Sequence, residues 1–129
     1  MIRKICAQYL IVISGNANAG TGQAGIDSAI RVCESVAQEG FCHIEEVLPF
    51  STGVIGEQLN DQAIIKKIPQ IFSDFRPDGW QDAAKAIMTT DTFSKIHSRM
   101  VDFGEESHVV TGICKGSGMI KPNMATMLA

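Results

Sequence analysis

Residues 9–14 read YLIVIS, and residues 15–25 read GNANAGTGQAG. This junction constrains the fold more than any other stretch. A short apolar run rich in β-branched residues is the mark of a buried strand. It stops at a cluster of glycine and asparagine, whose backbone preferences suit a loop and not a longer strand. Ile26, Ala29, Ile30, Cys33, Val36 and Ala37 then recur at helical spacing, with Gly40 as a stop signal. Strand, glycine-rich loop and amphipathic helix in direct succession open an α/β arrangement.

The rest of the chain extends that pattern. EVLPFSTGVIG reads as a short strand broken by Pro49 that runs into a glycine-flanked turn. Asn60 is placed to cap a helix through DQAIIKK, which Pro69 ends or restarts. Asp78 is placed to cap a helix in GWQDAAKAIM. FSKIHSRMVDF, the turn GEES and HVVTGICKG alternate as a β-hairpin does. No internal repeat or low-complexity segment interrupts the order. Strand, helix, strand, helices and hairpin predict an α/β class of fold, a mixed α+β domain, and 129 residues suffice for one core.

Composition excludes several partners. A formal charge of −3 gives no basic footprint for nucleic acid. No apolar run is long enough to span a bilayer. The opening MIRKICAQYLIVISG has charges before an apolar core, as signal peptides do, but that core is short and leads straight into the loop. Cys6, Cys33, Cys42 and Cys114 match no zinc spacing and form no CxxC pair. They read as reduced thiols, with Cys33 on the apolar face of the first helix, and no metal is expected.

Four stretches offer chemistry. Gly20, Gly22 and Gly25 form GxGxxG after a strand and before a helix, with Glu45 and Glu46 about twenty residues on, as in dinucleotide-binding folds. The preceding GNANA makes that loop longer than the fingerprint's tight turn. In STGVIGE, residues 51–57, a Thr-Gly after a strand can aim backbone N–H groups at an oxyanion, or it can be a plain turn. MTTDT, residues 88–92, gathers hydroxyls beside Asp91, for a polar substrate or for a side-chain-capped turn. The closing KGSGMIKPNMATMLA holds Lys115 in a flexible Gly-Ser stretch and Thr126 behind small Ala125. A threonine becomes a strong nucleophile when its own α-amine, with a pKa of ~7.7–8.0, serves as base. An internal threonine reaches that state only if the peptide bond before it breaks. Otherwise Thr126 is an ordinary strand residue.

SGNANAGTG, STGVIGE, DGWQDAAKAIMTTDT and KGSGMIKPNMATMLA occur in that order. Together they closely resemble the ornithine acetyltransferase family, also called the bifunctional glutamate N-acetyltransferases of arginine biosynthesis. The resemblance implies an α/β/β/α sandwich in a cytoplasmic enzyme. It implies a precursor that cuts itself between Ala125 and Thr126, freeing Thr126 to carry an acetyl group from N-acetylornithine to glutamate. Thr52 and Gly53 match the oxyanion-hole pair, and Thr89 and Lys115 match substrate-binding positions. No cofactor is implied beyond acetyl-CoA as a possible co-substrate. The implied partner is the β-segment of the same enzyme, in an α2β2 assembly, with no nucleic acid and no membrane.

The departures set further expectations. Family members are several-fold longer, with a substantial region before SGNANAG where only thirteen residues precede Ser14 here, and Ile13 stands where they usually have Asn. Residues 1–13 are expected to be a divergent N-terminal stretch, 14–125 the α-segment, and 126–129 the first residues of a β-segment whose remainder is absent. That remainder includes an acidic residue and a C-terminal Asn that complete the family's substrate contacts. The chain alone is therefore expected to be inactive, as a truncated product or as one piece of a split protein. A non-catalytic remnant and a nucleotide-binding module are the alternatives.

Overall fold

The computed structural model describes residues 6–117 and 127–129. It divides into two compact units, one ending at Phe75 and one beginning at Arg76. Ala125 and Thr126 lie outside the described residues.

The first unit is built on the strand–loop–helix junction. Strand β1 (Tyr9–Asn16) leads through a loop to helix α1 (Gly22–Glu39), then through a 3-10 turn (Ile44–Glu46) to strand β2 (Val47–Val54). β2 pairs with β1 in parallel, from Tyr9 opposite Val47 to Gly15 opposite Gly53. Short helices α2 (Asp61–Ile65) and α3 (Ile68–Ser73) follow. Val32, Cys33, Val36 and Ala37 of α1 form the core with Val47, Leu59 and Ile68, and Tyr9, Ile11 and Ile13 pack against it.

Several expectations shift here. β1 is covered on one face only: Tyr9, Ile11 and Ile13 turn inward, whereas Leu10 and Val12 are exposed. Pro49 does not break β2. It sits within the strand opposite Ile11, and among the described residues β2 pairs on one side only, so a strand residue without an N–H is tolerated there. On α1 the deepest residue is Val32, while Ile26 and Ile30 are exposed. Gly40 does end the helix, but at φ −84°; the left-handed residue is Phe41, at φ +52°. Gly40 is needed for space, since a Cβ there would lie 2.5 Å from the Tyr9 ring.

Asn60 caps α2 as expected, its side chain accepting from the Ala63 N–H at 3.2 Å. Pro69 restarts the helix by standing in the first turn of α3, where no N–H is required. The Arg31 guanidinium donates to Asp61 at 2.6 Å and holds that carboxyl below the usual carboxylate range.

The second unit holds helix α4 (Trp80–Ala86) and the antiparallel hairpin β3 (Lys95–Phe103) and β4 (Glu106–Cys114). The hairpin is the one read from alternation, with Phe103 opposite Glu106 across the turn. Asp78 does not cap α4. The N-cap is Gly79, and Asp78 instead pairs with Arg76, which also binds Asp82. Met100, Val109 and Val110 of the hairpin are exposed.

All four cysteines are free thiols. Burial pushes the Cys33 thiol up, and burial with the nearby Glu46 carboxylate does the same for Cys42. Among the described residues no helix is long and apolar enough to cross a membrane.

Candidate active site

Thr52 and Gly53 close strand β2 at its C-terminal end, the end at which open parallel sheets bind ligands. Thr52 is almost fully buried. Gly53 has φ +132°, a conformation that side chains rarely tolerate, and it faces Gly15 of β1 so closely that a Cβ would lie 2.2 Å from the Gly15 carbonyl carbon. Asn16 is paired with both Thr52 and Val54, a register irregularity that bends the sheet at this point.

The loops beyond the two strands are stitched together. Asn16 Nδ2 donates to the Glu57 and Gln58 carbonyls at 3.1 and 3.4 Å, and its Oδ1 accepts the Asn18 N–H at 2.7 Å. Gly56 N–H donates to the Ala19 carbonyl at 2.8 Å, and Ala17 N–H to Val54 at 2.8 Å. The Thr52–Gly53 backbone is therefore fixed by sterics from β1 and by a hydrogen-bonded frame around it.

The same geometry disposes of the dinucleotide reading of Gly20, Gly22 and Gly25. The space a Cβ would take at Gly25 is filled by the loop's own Thr21 and Asn18, and Asn18 Nδ2 donates to the Gly25 carbonyl at 2.8 Å. Glu45 and Glu46 lie in the 3-10 turn before β2, at the end opposite the glycine loop, whereas a ribose-binding acid follows its strand. Both Glu46 oxygens are engaged, by Gln8 Nε2 and by the His43 N–H, each at 2.8 Å.

In the second unit, Thr89 lies exposed in the turn after α4, and Lys115 is buried just beyond β4. The segment at Lys115 is not loose. Lys115 N–H donates to the Leu128 carbonyl at 2.9 Å, an antiparallel bridge. Gly116, at φ +150°, packs close to Met127.

Asp91 joins these two places. Its side chain is almost completely buried. Oδ1 accepts from Lys95 Nζ at 2.5 Å and from the Gly116 N–H at 2.8 Å, and Oδ2 accepts a longer bond from the Thr89 N–H at 3.4 Å. The Lys95 ammonium, then the Gly116 amide, hold its carboxyl at about 2, well below the usual carboxylate range. Thr90 Oγ1 adds a 3.1 Å link to Ser117 Oγ. The hydroxyl cluster beside Asp91 thus contains an inward-facing carboxylate that organises backbone.

Of the site residues expected from sequence, Thr52 and Gly53 adjoin at one strand end in the first unit, and Thr89 and Lys115 are linked through Asp91 in the second. Sequence reasoning missed Asn16 and Lys95 and took Asp91 only as a neighbour of hydroxyls. An asparagine closing a strand before a glycine-rich loop was the available signal for Asn16. One partner of Asp91, the Gly116 N–H, lies 25 residues away, which no local pattern reveals.

Comparison with known proteins places the chain in a family. The ArgJ family model matches residues 1–129. The Arginine biosynthesis bifunctional protein ArgJ of Methylococcus capsulatus is 51% identical over 122 residues, covering 95% of this chain and 30% of that protein. Its counterpart in Psychrobacter arcticus is 48% identical over 125 residues, covering 97% of this chain and 31% of that protein. The chain therefore spans about a third of the length of these curated relatives. The crystal structure of the ArgJ protein from Bacillus halodurans superposes with a TM-score of 0.78 at 38% identity, over 90% of this chain and 61% of that one. Ornithine acetyltransferase from Mycobacterium tuberculosis, complexed with ornithine, gives 0.73 at 28% identity, over 92% and 62%.

Proposed function

The chain belongs to the ArgJ family, and from that premise we propose that it is part of an enzyme that moves an acetyl group from N-acetylornithine to glutamate in arginine biosynthesis. In this reading Thr126 Oγ first attacks the Ala125 carbonyl, and water hydrolyses the resulting ester. The freed α-amine of Thr126, with a pKa of ~7.7–8.0, then takes the hydroxyl proton as Oγ attacks the acetyl carbonyl of N-acetylornithine. The amide C–N bond breaks, the proton passes to the leaving amine, and ornithine departs. The amine of glutamate attacks the acetyl ester, expels Thr126 Oγ and leaves as N-acetylglutamate.

Thr52 and Gly53 supply donors to the oxygen on which charge develops in both steps. Lys115 pairs with the substrate carboxylate and Thr89 hydrogen-bonds it. The β-segment completes the site in an α2β2 assembly in the cytoplasm, and acetyl-CoA serves as an alternative acetyl donor. The observation that carries this reading is the Thr52–Gly53 corner. A buried threonine precedes a glycine at φ +132° at the ligand-binding end of a parallel strand pair.

The test is to place residues 1–129 in the full-length chain of a curated relative, in the position of the segment they match. The completed enzyme is expected to split between Ala125 and Thr126, seen by intact mass, and to form N-acetylglutamate from N-acetylornithine and glutamate. Thr126→Ala abolishes both. An uncut product that transfers no acetyl group refutes the proposal.

A second reading, a non-catalytic remnant, is favoured by Leu10, Val12, Leu48 and Phe50, which stand exposed on the β1–β2 sheet. It requires self-association of the 129-residue chain, and a cooperatively folding monomer in sedimentation excludes it.

A further inference from the structure

We infer that Asp91 is a positioning residue: its carboxylate ties the turn carrying Thr89 to the segment carrying Lys115, and so sets the pair on which the substrate carboxylate rests. The inference builds on the reading of Thr89 and Lys115 given above. Its basis is geometric. A buried carboxylate is costly unless its oxygens are satisfied. Asp91 meets that cost with one ammonium and two backbone amides, from residues four, two and twenty-five positions away.

The consequences fall on the two substrate positions and not on the hairpin at large. Gly116 is the residue after Lys115, and the Lys115 N–H is fixed on the Leu128 carbonyl at 2.9 Å. The Lys115 backbone is thus held from both sides, by Leu128 and by Asp91. Thr89 is held by its own N–H on Oδ2, and Thr90 by its hydroxyl on Ser117. Lys95 lies opposite Cys114 at the open end of the hairpin, so β3 delivers the cation that neutralises Asp91 where β4 runs out. Removing the carboxylate releases both segments at once.

Two measurements on Asp91→Ala decide the matter. In the 129-residue chain, hydrogen exchange at the Gly116 N–H is expected to quicken by about tenfold or more. In the completed enzyme, KM for N-acetylornithine is expected to rise by about tenfold while kcat stays within about threefold. Asp91→Asn, which keeps an acceptor, recovers part of both. Lys115→Ala and Thr89→Val are run beside it, and Asp91→Ala is expected to add little on the Lys115→Ala background.

Unchanged exchange at Gly116 overturns the inference. So does faster exchange with an unchanged KM when Lys115→Ala raises KM, because Asp91 is then structural only. If Lys115→Ala and Thr89→Val leave KM unaltered, the substrate reading itself fails and the positioning role falls with it. Trp80, the single tryptophan, lies in α4 and reports whether the second unit still folds. If Asp91→Ala loses that signal, Thr90→Val decides instead: a rise in KM of about twofold with kcat kept supports the inference, and no rise overturns it.

Discussion

The candidate residues of the first unit and those of the second are held by different forces. At Thr52–Gly53 the backbone is closed by exclusion within a frame of uncharged hydrogen bonds: Gly15 leaves no room for a side chain, and φ +132° admits little but glycine. At Thr89–Lys115 it is fixed by attraction, through a buried carboxylate that gathers an ammonium and two amides. The first kind of restraint is indifferent to pH and salt. The second depends on one charge. The contrast teaches that the Thr52–Gly53 corner fails under added bulk, and the Asp91 junction under protonation.

The harshest way to break this comparison is Gly53→Ala. A methyl group would stand 2.2 Å from backbone carbon and 2.3 Å from backbone oxygen of Gly15, neither of which can rotate away. Strain at a non-glycine residue in this region and overpacking each cost about 1–3 kcal/mol. Their sum, about 2–6 kcal/mol, is a large fraction of the stability of a small domain. Urea unfolding of the first unit should shift to much lower denaturant. Gly56→Ala, at φ +85° with no atom within 4 Å of the added Cβ, is the matched control and should cost only the backbone strain, about 1–3 kcal/mol. Equal costs at the two positions would show that steric closure against β1 does not fix the corner.

How much of this was legible in the sequence follows the same division. β1, the start of α1 and the hairpin were readable because their signals are local: a β-branched run, a helical repeat, an alternation around a turn. Asn60 was readable because a cap bonds three residues away. Pro49 was misread because its tolerance depends on having no neighbour on one side, a property of the sheet and not of the strand. The one-sided burial of β1 is likewise a matter of how many layers surround it. Among candidate site residues, the Thr-Gly corner showed as a motif, but the force holding it, Gly15 across the sheet, did not. Asp91 was noticed for its hydroxyl neighbours, while its inward turn depends on Lys95 and Gly116, which only the folded chain brings to it.

A smaller effect sharpens the comparison by titration. Asp91 has a folded pKa of about 2, below its ordinary value near 3.8. A depressed carboxylate stabilises the folded form fully above the unfolded pKa and loses that contribution as pH falls through the folded one. The second unit should therefore weaken between about pH 4 and pH 2, followed by Trp80 fluorescence and by the Gly116 amide signal. Asp91→Asn should remove the Gly116 step. Asp61, also depressed by its arginine, gives the first unit an acid-sensitive point of its own at α2, so Asp61→Asn is needed as background. A Gly116 transition that survives in Asp91→Asn would mean that another group governs the segment.

The smallest expected effect is at Asn60, and its smallness is the point. Asn60 Oδ1 satisfies one N–H at the start of a five-residue helix. Losing an N-cap costs about 1 kcal/mol, since water can replace the bond at an exposed position. Asn60→Ala should lower the melting temperature by only a few degrees, and Asn60→Gly by less, since glycine is itself a tolerated cap. Neither should alter the amide shifts of Thr52 and Gly53, because contact with Gly15 closes that corner and the frame around it is tied at Glu57 and Gln58, before the cap. Shifts at Gly53 in Asn60→Ala would mean that the cap of α2 is coupled to the corner through the Asn16–Glu57 and Asn16–Gln58 bonds, and the distinction between a corner closed by contact and a junction held by one charge would no longer hold.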